Sequence, residues 1–532
     1  MKILLLVPYF YLVNSLNILI YSPAFATSHM NFMAHISDTL TDAGHNVTVL
    51  VPITDAKLKP RIGLEKTNDI IIVDHDDEMR EALGIAPDAE TALKLLWERV
   101  EKPEDMENNL KWIFDQILAT CPLLLRNEAV MKEIGNRKFD VAIAESLSVC
   151  GLGLFKKLGI EKTILAASCA IFDFQHDFIG EPNHVSYVPT SNCPHGDKMS
   201  IIQRYMNHKS SDAAQRTIIN HFNREIKHFE KFGISDWREL FPSASAYFIN
   251  SNPYIDYPRP IIQKTVAIGG ISVHLDEIQS QKLSEDWQNI LELRKRNFLI
   301  SFGSIARSVD MPIKWRDNIL NVIRTFPDVT FIWKYESDDL EWAEGVENVK
   351  FVKWTSQTAL LKTKTKSDSR LNGFLTHGGL GSTHELAYLG KPALMVPIFG
   401  DQFRNAKMLA RHNGSILLEK FSLADFERLK SAIYTILSDS TYSTNAKKLA
   451  ELLQHQPIIP KEQVVRQVEF IAKYGPFPNM DPYSRHLSII QRDLIDVYAI
   501  IYISYILGFV VLIFVFRFLL KFSFGKSTKK ED

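Results

Sequence analysis

The sequence predicts an α/β fold of two doubly wound halves facing a cleft, followed by one membrane-spanning helix. Three observations carry this. Short apolar runs alternate with helical stretches in two separate series, the pattern of parallel sheets. A stretch dense in Pro and Gly, "NPYIDYPRPIIQKTVAIGGISV" at 252–273, divides the two series. "LIDVYAIIYISYILGFVVLIFVFRFLL" runs from Leu494 to Leu520 and carries no charge between Val497 and Phe516, enough to cross a bilayer once.

The chain opens with Lys2 and the apolar run "ILLLVPYFYLV", closing on the small residue Ser15. This reads as a secretory signal peptide of residues 1–15. The first half, 16–260, starts with a strand in "LNILIYSP", a helix from Ser28 to Asp42, the turn Gly44-His45 and a strand in "NVTVLVP". That βαβ start implies a parallel sheet. The stretch from about 75 to 135 reads as mostly helical, with Trp97 and Trp112 at apolar positions that suit packing. The strand "FDVAIAE" ends at Glu145 and leads into the Gly-rich helix start "CGLGLFKKLG".

After a linker at 261–284 the second half runs to 475. Its strands are "NFLISFG", "DVTFIWKY", "NVKFVKW", "LNGFLTH" and "KPALMVPIF", with helices near 311–325, 380–390 and 402–412. Residues 476–494 lead to the span at 495–520, and 521–532 form a tail. Arg517, Lys521, Lys526, Lys529 and Lys530 put that tail in the cytosol, and residues 16 to about 493 on the other side. The last four residues, "KKED", resemble a dilysine retrieval signal of the endoplasmic reticulum. The expected protein is a single-pass type I membrane protein with lumenal domains.

Composition narrows the function. A hydrophobic fraction of 46% suits a real core, and a net charge of −1 gives no reason to expect nucleic acid. Cys121, Cys150, Cys169 and Cys193 match no zinc spacing and are too few for a disulfide scaffold; one or two bridges remain open, with no pairing assigned.

The chemistry concentrates in "FLTHGGLGSTHELAYLGKPALMVPIFGDQ", Phe374 to Gln402. In open α/β sheets ligands bind at the carboxyl ends of strands. After "GFLTH" the glycines allow close backbone approach, and a helix starts near Leu380 whose free N–H groups suit a phosphate. Cheaper readings fail. "GLGSTH" is no dinucleotide fingerprint, since His384 replaces its third glycine, and "HELAY" lacks the second zinc histidine. "GKS" at Gly525 lacks the upstream glycine of a P-loop.

The stretch resembles the signature of UDP-glycosyltransferases, in particular the membrane-bound animal UDP-glucuronosyltransferases. Phe374, Thr376-His377, Gly379, Ser382, Glu385, Pro392, Pro397 and Asp401-Gln402 stand at the family spacing. "SHMNFMAHISDTLTDAGHNVTVL", "PRPIIQKTVAIGG", "SFGS", "KWTSQ", both termini and the span extend the likeness over nearly the whole chain. The resemblance implies a GT-B fold, two Rossmann-like domains about a cleft, the first for the acceptor and the second for a UDP-sugar.

It also implies roles. Trp354 would stack on uracil and Gln357 bond the nucleoside. Glu385 would accept the ribose hydroxyls. His377, Ser304 and the amides from Gly379 through Gly381 to Ser382 would hold the diphosphate. Asp401 and Gln402 would bond the sugar. His29, after the first strand, would be the catalytic base. Alone, a loop histidine is usually just solvated; beside this cradle an imidazole suits proton removal from a hydroxyl. Its partner is an aspartate in the family and Glu145 here; that position could equally be a solvated strand end. The implied reaction is inverting transfer of glucuronate or glucose from UDP-glucuronate or UDP-glucose to a hydroxyl of a small lipophilic acceptor. No cofactor is implied, and no metal, because no D-x-D carboxylate pair sits by the diphosphate site.

One departure is the stretch between Gln357 and His377, about five residues longer than the family spacing, with the excess at Lys362 to Lys366. A surface loop absorbs that cheaply. Asn46-Val47-Thr48 and Asn413-Gly414-Ser415 are sequons, Asn413 in a turn being the better acceptor. Homo-oligomers are common in the family. Two other readings remain: a silent UDP-sugar-binding membrane protein, which the retained His29 disfavours, and a lipid-linked oligosaccharide transferase subunit, which the presence of both halves in one chain disfavours.

Overall fold

Two parallel sheets built in the same order make up the computed structural model, which describes residues 15–524 apart from 83–89, 101, 103–105, 171, 281–282, 356 and 362–370. The leader before Ser15, the loop at Lys362 to Lys366 and the tail end "KKED" lie outside the described residues.

The first sheet holds β1 (Asn17–Tyr21), β2 (Asn46–Pro52), β3 (Asp69–Val73), β4 (Val141–Glu145), β5 (Thr163–Ala167), β6 (Ala246–Ile249) and β7 (Thr265–Ala267), in the order β3-β2-β1-β4-β5-β6-β7. The second holds β8 (Arg296–Ser301), β9 (Val329–Lys334), β10 (Val349–Val352), β11 (Gly373–Thr376), β12 (Ala393–Met395) and β13 (Ser415–Leu417), ordered β10-β9-β8-β11-β12-β13. Every pairing is parallel, for example Ile18 with Val141 and Phe374 with Leu299. All five residues of β4 and of β5 are buried, as strands covered by helices on both faces must be. In each sheet the winding reverses once, between β1 and β4 and between β8 and β11. Such switch points leave a crevice at the carboxyl ends of the strands.

The strands β3, β5, β6, β7 and β13 have no counterpart among the runs singled out from the sequence. They are three to five residues long, no shorter than several strands that the sequence did mark, and nothing else in their sequence set them apart. β7 lies inside the stretch expected to be linker, so the first sheet continues past residue 260 to Ala267. The expected helical insertion is present as Asp77–Ala82, Glu90–Glu98, Met106–Arg126 and Glu128–Gly135. Trp97 is fully buried, edge-on to Phe302 at 4.9 Å, so this insertion contributes to the second half's core. Trp112 is half-buried. Cys121 and Cys150 form a disulfide, while Cys169 and Cys193 are free thiols.

The sequence boundary at 475 places helix Pro460–Tyr474 in the second half. Its apolar face, Val464, Val468 and Ile471, instead packs with Ile18 and Ile36 in the core of the first. Amphipathic periodicity shows that a helix has a buried face but not which sheet covers it. The chain stays on the first half from there. Ser484 Oγ donates to Gly180 O at 2.7 Å, Lys264 pairs with Asp481, and Arg492 Nη1 reaches Asp177 Oδ1 at 2.8 Å. Helix Ile495–Phe524 follows. Its segment Ile495–Ser523 has a mean hydropathy of 2.7 and no buried residue, as expected of a helix solvated by lipid.

Candidate active site

A single cavity of about 1060 Å³ opens between the two switch points. Ser304, Trp354, Gln357, His377, Gly379, Gly381, Ser382, Glu385, Asp401, Gln402 and His29 all line it. Glu145 stands behind His29.

The second-half wall is built from strand ends. Gly303 follows β8 with φ +84°, and Gly379 follows β11. A Cβ on Gly303 would come within 2.5 Å of His377 Cε1, and one on Gly379 within 2.6 Å of Nε2. The imidazole is thus held between two positions that tolerate no side chain. Burial, and then the positive charge of Lys334, lower His377 to about 4. At neutral pH the ring is uncharged, with one N–H to donate.

Helix Leu380–Leu389 starts at Gly379 without a side-chain cap. The first N–H groups of a helix lack intrahelical acceptors, and Gly381 and Ser382 of this first turn line the cavity. Glu385, one and a half turns in, accepts from Thr358 Oγ1 at 2.7 Å and from Gln357 Nε2. Gln357 also donates to Ser382 Oγ at 2.9 Å. Burial raises the Glu385 pKa, and the two hydrogen bonds pull it back. Each carboxylate oxygen keeps a second lone pair for a ligand hydroxyl. Trp354 is 66% exposed, a flat apolar face open to the cleft. Lys334 Nζ sits 5.7 Å from that ring and donates to Gly303 O at 2.6 Å.

At the other end of the wall Asp401 accepts from Asn405 Nδ2 at 2.8 Å, and burial raises its pKa. The Gln402 carbonyl is already used: Oε1 accepts from the backbone N–H of Ile398 at 2.9 Å and Phe399 at 3.1 Å. Only its NH2 faces a ligand, so of this pair Asp401 alone offers an acceptor.

The first-half wall comes from β1 and β4. His29 is the third residue of helix Thr27–Asp42, with its ring 4.7 Å from Phe25. His29 Nδ1 lies 3.4 Å from Glu145 Oε2. The glutamate stands at the last position of β4 and reaches the ring. Ser168 Oγ donates to the same oxygen, and Oε1 has no partner among the described residues. Nδ1 faces Glu145, which leaves Nε2 as the free nitrogen. Beyond His29 the cavity becomes apolar. Ile113 and Phe114 come from helix Met106–Arg126, Ile218 from helix Ile201–Glu225, and Phe172 and Phe174 from the loop after β5.

Sequence reasoning missed Lys334, Thr358, Ser168, Cys169 and Asp173. Lys334 had a signal, a lysine closing the apolar run of β9 at its carboxyl end. The others are small or short polar residues, Thr358 in the short helix Gln357–Leu361 and the rest in the loop after β5, and carry none.

The chain matches the family model described as "UDP-glucoronosyl and UDP-glucosyl transferase" over residues 18–531. It is 27% identical over 513 residues to the putative UDP-glucuronosyltransferase ugt-50 of Caenorhabditis elegans, covering 94% of each chain. It is 25% identical over 488 residues to human UDP-glucuronosyltransferase 1A3, covering 88% of this chain and 85% of the human one. A solved UDP-glucose: anthocyanidin 3-O-glucosyltransferase in complex with UDP superposes with a TM-score of 0.59 at 16% identity, covering 86% of this chain and 99% of that one.

Proposed function

This chain belongs to the UDP-glucuronosyl and UDP-glucosyl transferase family, with a GT-B fold, and we propose that it transfers glucuronate or glucose from its UDP-sugar to a hydroxyl of a small lipophilic acceptor. The observation that carries the reading is the opposition of two walls in one cavity: a His–Glu pair at 3.4 Å on one side and an uncapped helix start with a neutral histidine on the other.

The roles follow from position. Trp354 stacks on uracil. Glu385 takes the ribose hydroxyls, with Gln357 shared between it and the nucleoside. His377, Ser304 and the N–H groups from Gly379 to Ser382 hold the diphosphate, with the Lys334 ammonium nearby. Asp401 accepts from sugar hydroxyls and the Gln402 NH2 donates to one. His29 Nε2 removes the acceptor proton, while Glu145 fixes the Nδ1–H tautomer and stabilises the imidazolium. The acceptor oxygen bonds to the anomeric carbon from the face opposite UDP. The bond to the phosphate oxygen breaks and its electron pair leaves with UDP. The helix start and His377 meet that growing charge without rearranging.

The acceptor binds among Ile113, Phe114, Phe172, Phe174 and Ile218, where an apolar body is desolvated. The span and the expected dilysine tail support residence in the endoplasmic reticulum membrane with both halves lumenal, and Cys121–Cys150 suits that oxidising side. Asn413, exposed in a turn with φ 58°, is the proposed glycan site ahead of Asn46, which opens β2 with its Nδ2 bonded to Asn17 Oδ1 at 3.1 Å.

The test is UDP release from microsomes expressing the chain, with both donors against phenols and steroids, and His29→Ala alongside. Turnover that vanishes in the variant supports the reading. UDP binding without turnover for any pair favours the silent binder.

A further inference from the structure

Resting on that reading of the cavity, we propose that the sugar end of the site selects a nucleotide carrying a neutral hexose and rejects one carrying a hexuronate.

The sugar sits between the anomeric carbon, near His29, and Asp401. The side chains around that point are carboxylates and neutral groups. Glu145 lies 3.4 Å behind the His29 ring. Asp401 and Asp173 both line the cavity, Asp173 fixed by the Ser191 N–H at 2.9 Å. Cys169 lines it between them, next in sequence to Ser168, which bonds Glu145. A hexuronate would bring a fourth carboxylate into this ring.

Among the described residues, no lysine or arginine lines this end of the cavity. Among the described residues lining the cavity there is no arginine, and the lysines are Lys66 and Lys334. Lys334 is at the nucleotide end, bonded to Gly303 O and Glu336. Lys66 pairs with Asp42 on the surface side of helix Thr27–Asp42. Arg404 is near in sequence but is 1% exposed and does not line the cavity. Its Nη2 holds Asp256 Oδ1 at 2.6 Å and its Nε holds Pro189 O at 3.0 Å. Moving a carboxylate from water into such a place without a partner is costly. A neutral hexose has only hydroxyls to satisfy, and Asp401 and the Gln402 amide supply an acceptor and a donor.

The titratable groups lining this end agree. Burial raises Asp401 and Asp173, and burial with the charges of Asp401 and Glu145 raises the Cys169 thiol. For both carboxyls burial outweighs the opposing pull, which includes His29 and Arg404 on Asp401 and His176 and Arg404 on Asp173, so desolvation dominates at this end.

The experiment is donor binding to the full-length chain in detergent, which needs no acceptor. UDP, UDP-glucose and UDP-glucuronate are titrated while the fluorescence of the exposed Trp354 is followed, with Trp354→Phe as the signal control. UDP-glucose is expected to bind on the order of 100-fold more tightly than UDP-glucuronate. Asp173→Asn keeps an oxygen for the Ser191 N–H and is expected to narrow that gap several-fold, with UDP affinity unchanged. Equal or tighter binding of UDP-glucuronate overturns the selectivity and leaves the transferase reading standing. Failure of UDP itself to bind overturns both. If Asp173→Asn no longer binds UDP, the wild-type comparison decides alone.

Discussion

The two halves wind their strands in the same order and place their ligands at the same switch point, yet they build their walls differently. The donor wall is nearly all local. His377, the helix start, Glu385, Asp401 and Gln402 come from 29 consecutive residues, joined by Gly303, Ser304, Lys334, Trp354, Gln357 and Thr358. The His–Glu pair is long-range: His29 and Glu145 are 116 residues apart and meet because β1 and β4 are neighbours in the sheet. The acceptor pocket is more dispersed still, assembled from two helices and a loop. A nucleotide is recognised largely through main-chain N–H groups and short side chains, which one turn can carry. A hydrophobic acceptor is recognised by area, and area has to be gathered from separate elements.

Changes at the two walls should separate accordingly. The largest effect is expected from His29→Ala: UDP release should fall by about 10²- to 10⁴-fold, the usual worth of a general base, with UDP affinity unchanged by calorimetry. If binding falls with turnover, the division between the walls is wrong. Next, Glu145→Gln keeps the shape but removes the charge behind Nδ1, and should lower kcat on the order of 10²-fold with donor KM little changed. On the donor side, Gly379→Ala puts a methyl where His377 Nε2 lies 2.6 Å away. It should raise donor KM about tenfold or more while acceptor KM holds. Phe114→Ala should do the reverse, raising the KM of an apolar acceptor about tenfold.

The smallest effect tests the first half's interior. Glu225 is buried behind the loop that follows Glu145, accepting from Ser148 Oγ at 2.6 Å and the Val149 N–H at 2.7 Å, and burial raises it to about 8. A folded-state pKa above the unfolded value stabilises fully below the unfolded pKa of about 4.5 and loses that stabilisation as pH rises through about 8. His221 beside it is lowered to about 3, mainly by burial, so its contribution is present above about 6.5 and lost only as pH falls. Between pH 6.5 and 8 only Glu225 of these two acts. The melting temperature should decline across that window, and Glu225→Gln should flatten the decline. A parallel decline in the variant would mean that Glu225 is charged in the fold.

The same contrast explains what could be read in the sequence. Alternating strands and helices, the Pro-Gly divide and the apolar span were visible because each repeats a physical period or exceeds a physical length. The donor cradle was visible because its residues are contiguous. β7 was hidden inside a Pro-rich stretch, and helix Pro460–Tyr474 hid its partner, since an amphipathic stripe names no neighbour. Cys121–Cys150 was one of several pairings. Ser168, Cys169 and Asp173 follow an unremarked five-residue strand and reach the site only once β5 is set beside β4. Gln402 was expected to bond the sugar, and sequence did not show that its own loop takes the amide oxygen.

Among the described residues, the apolar C-terminal helix is fastened to the first half. Ser484, Asp481 and Arg492 all hold the acceptor half, and helix Pro460–Tyr474 is seated there too. In mechanical terms the half that carries His29 and the apolar mouth is the one moored to the span, because the chain returns from the second sheet to the first before it reaches that helix.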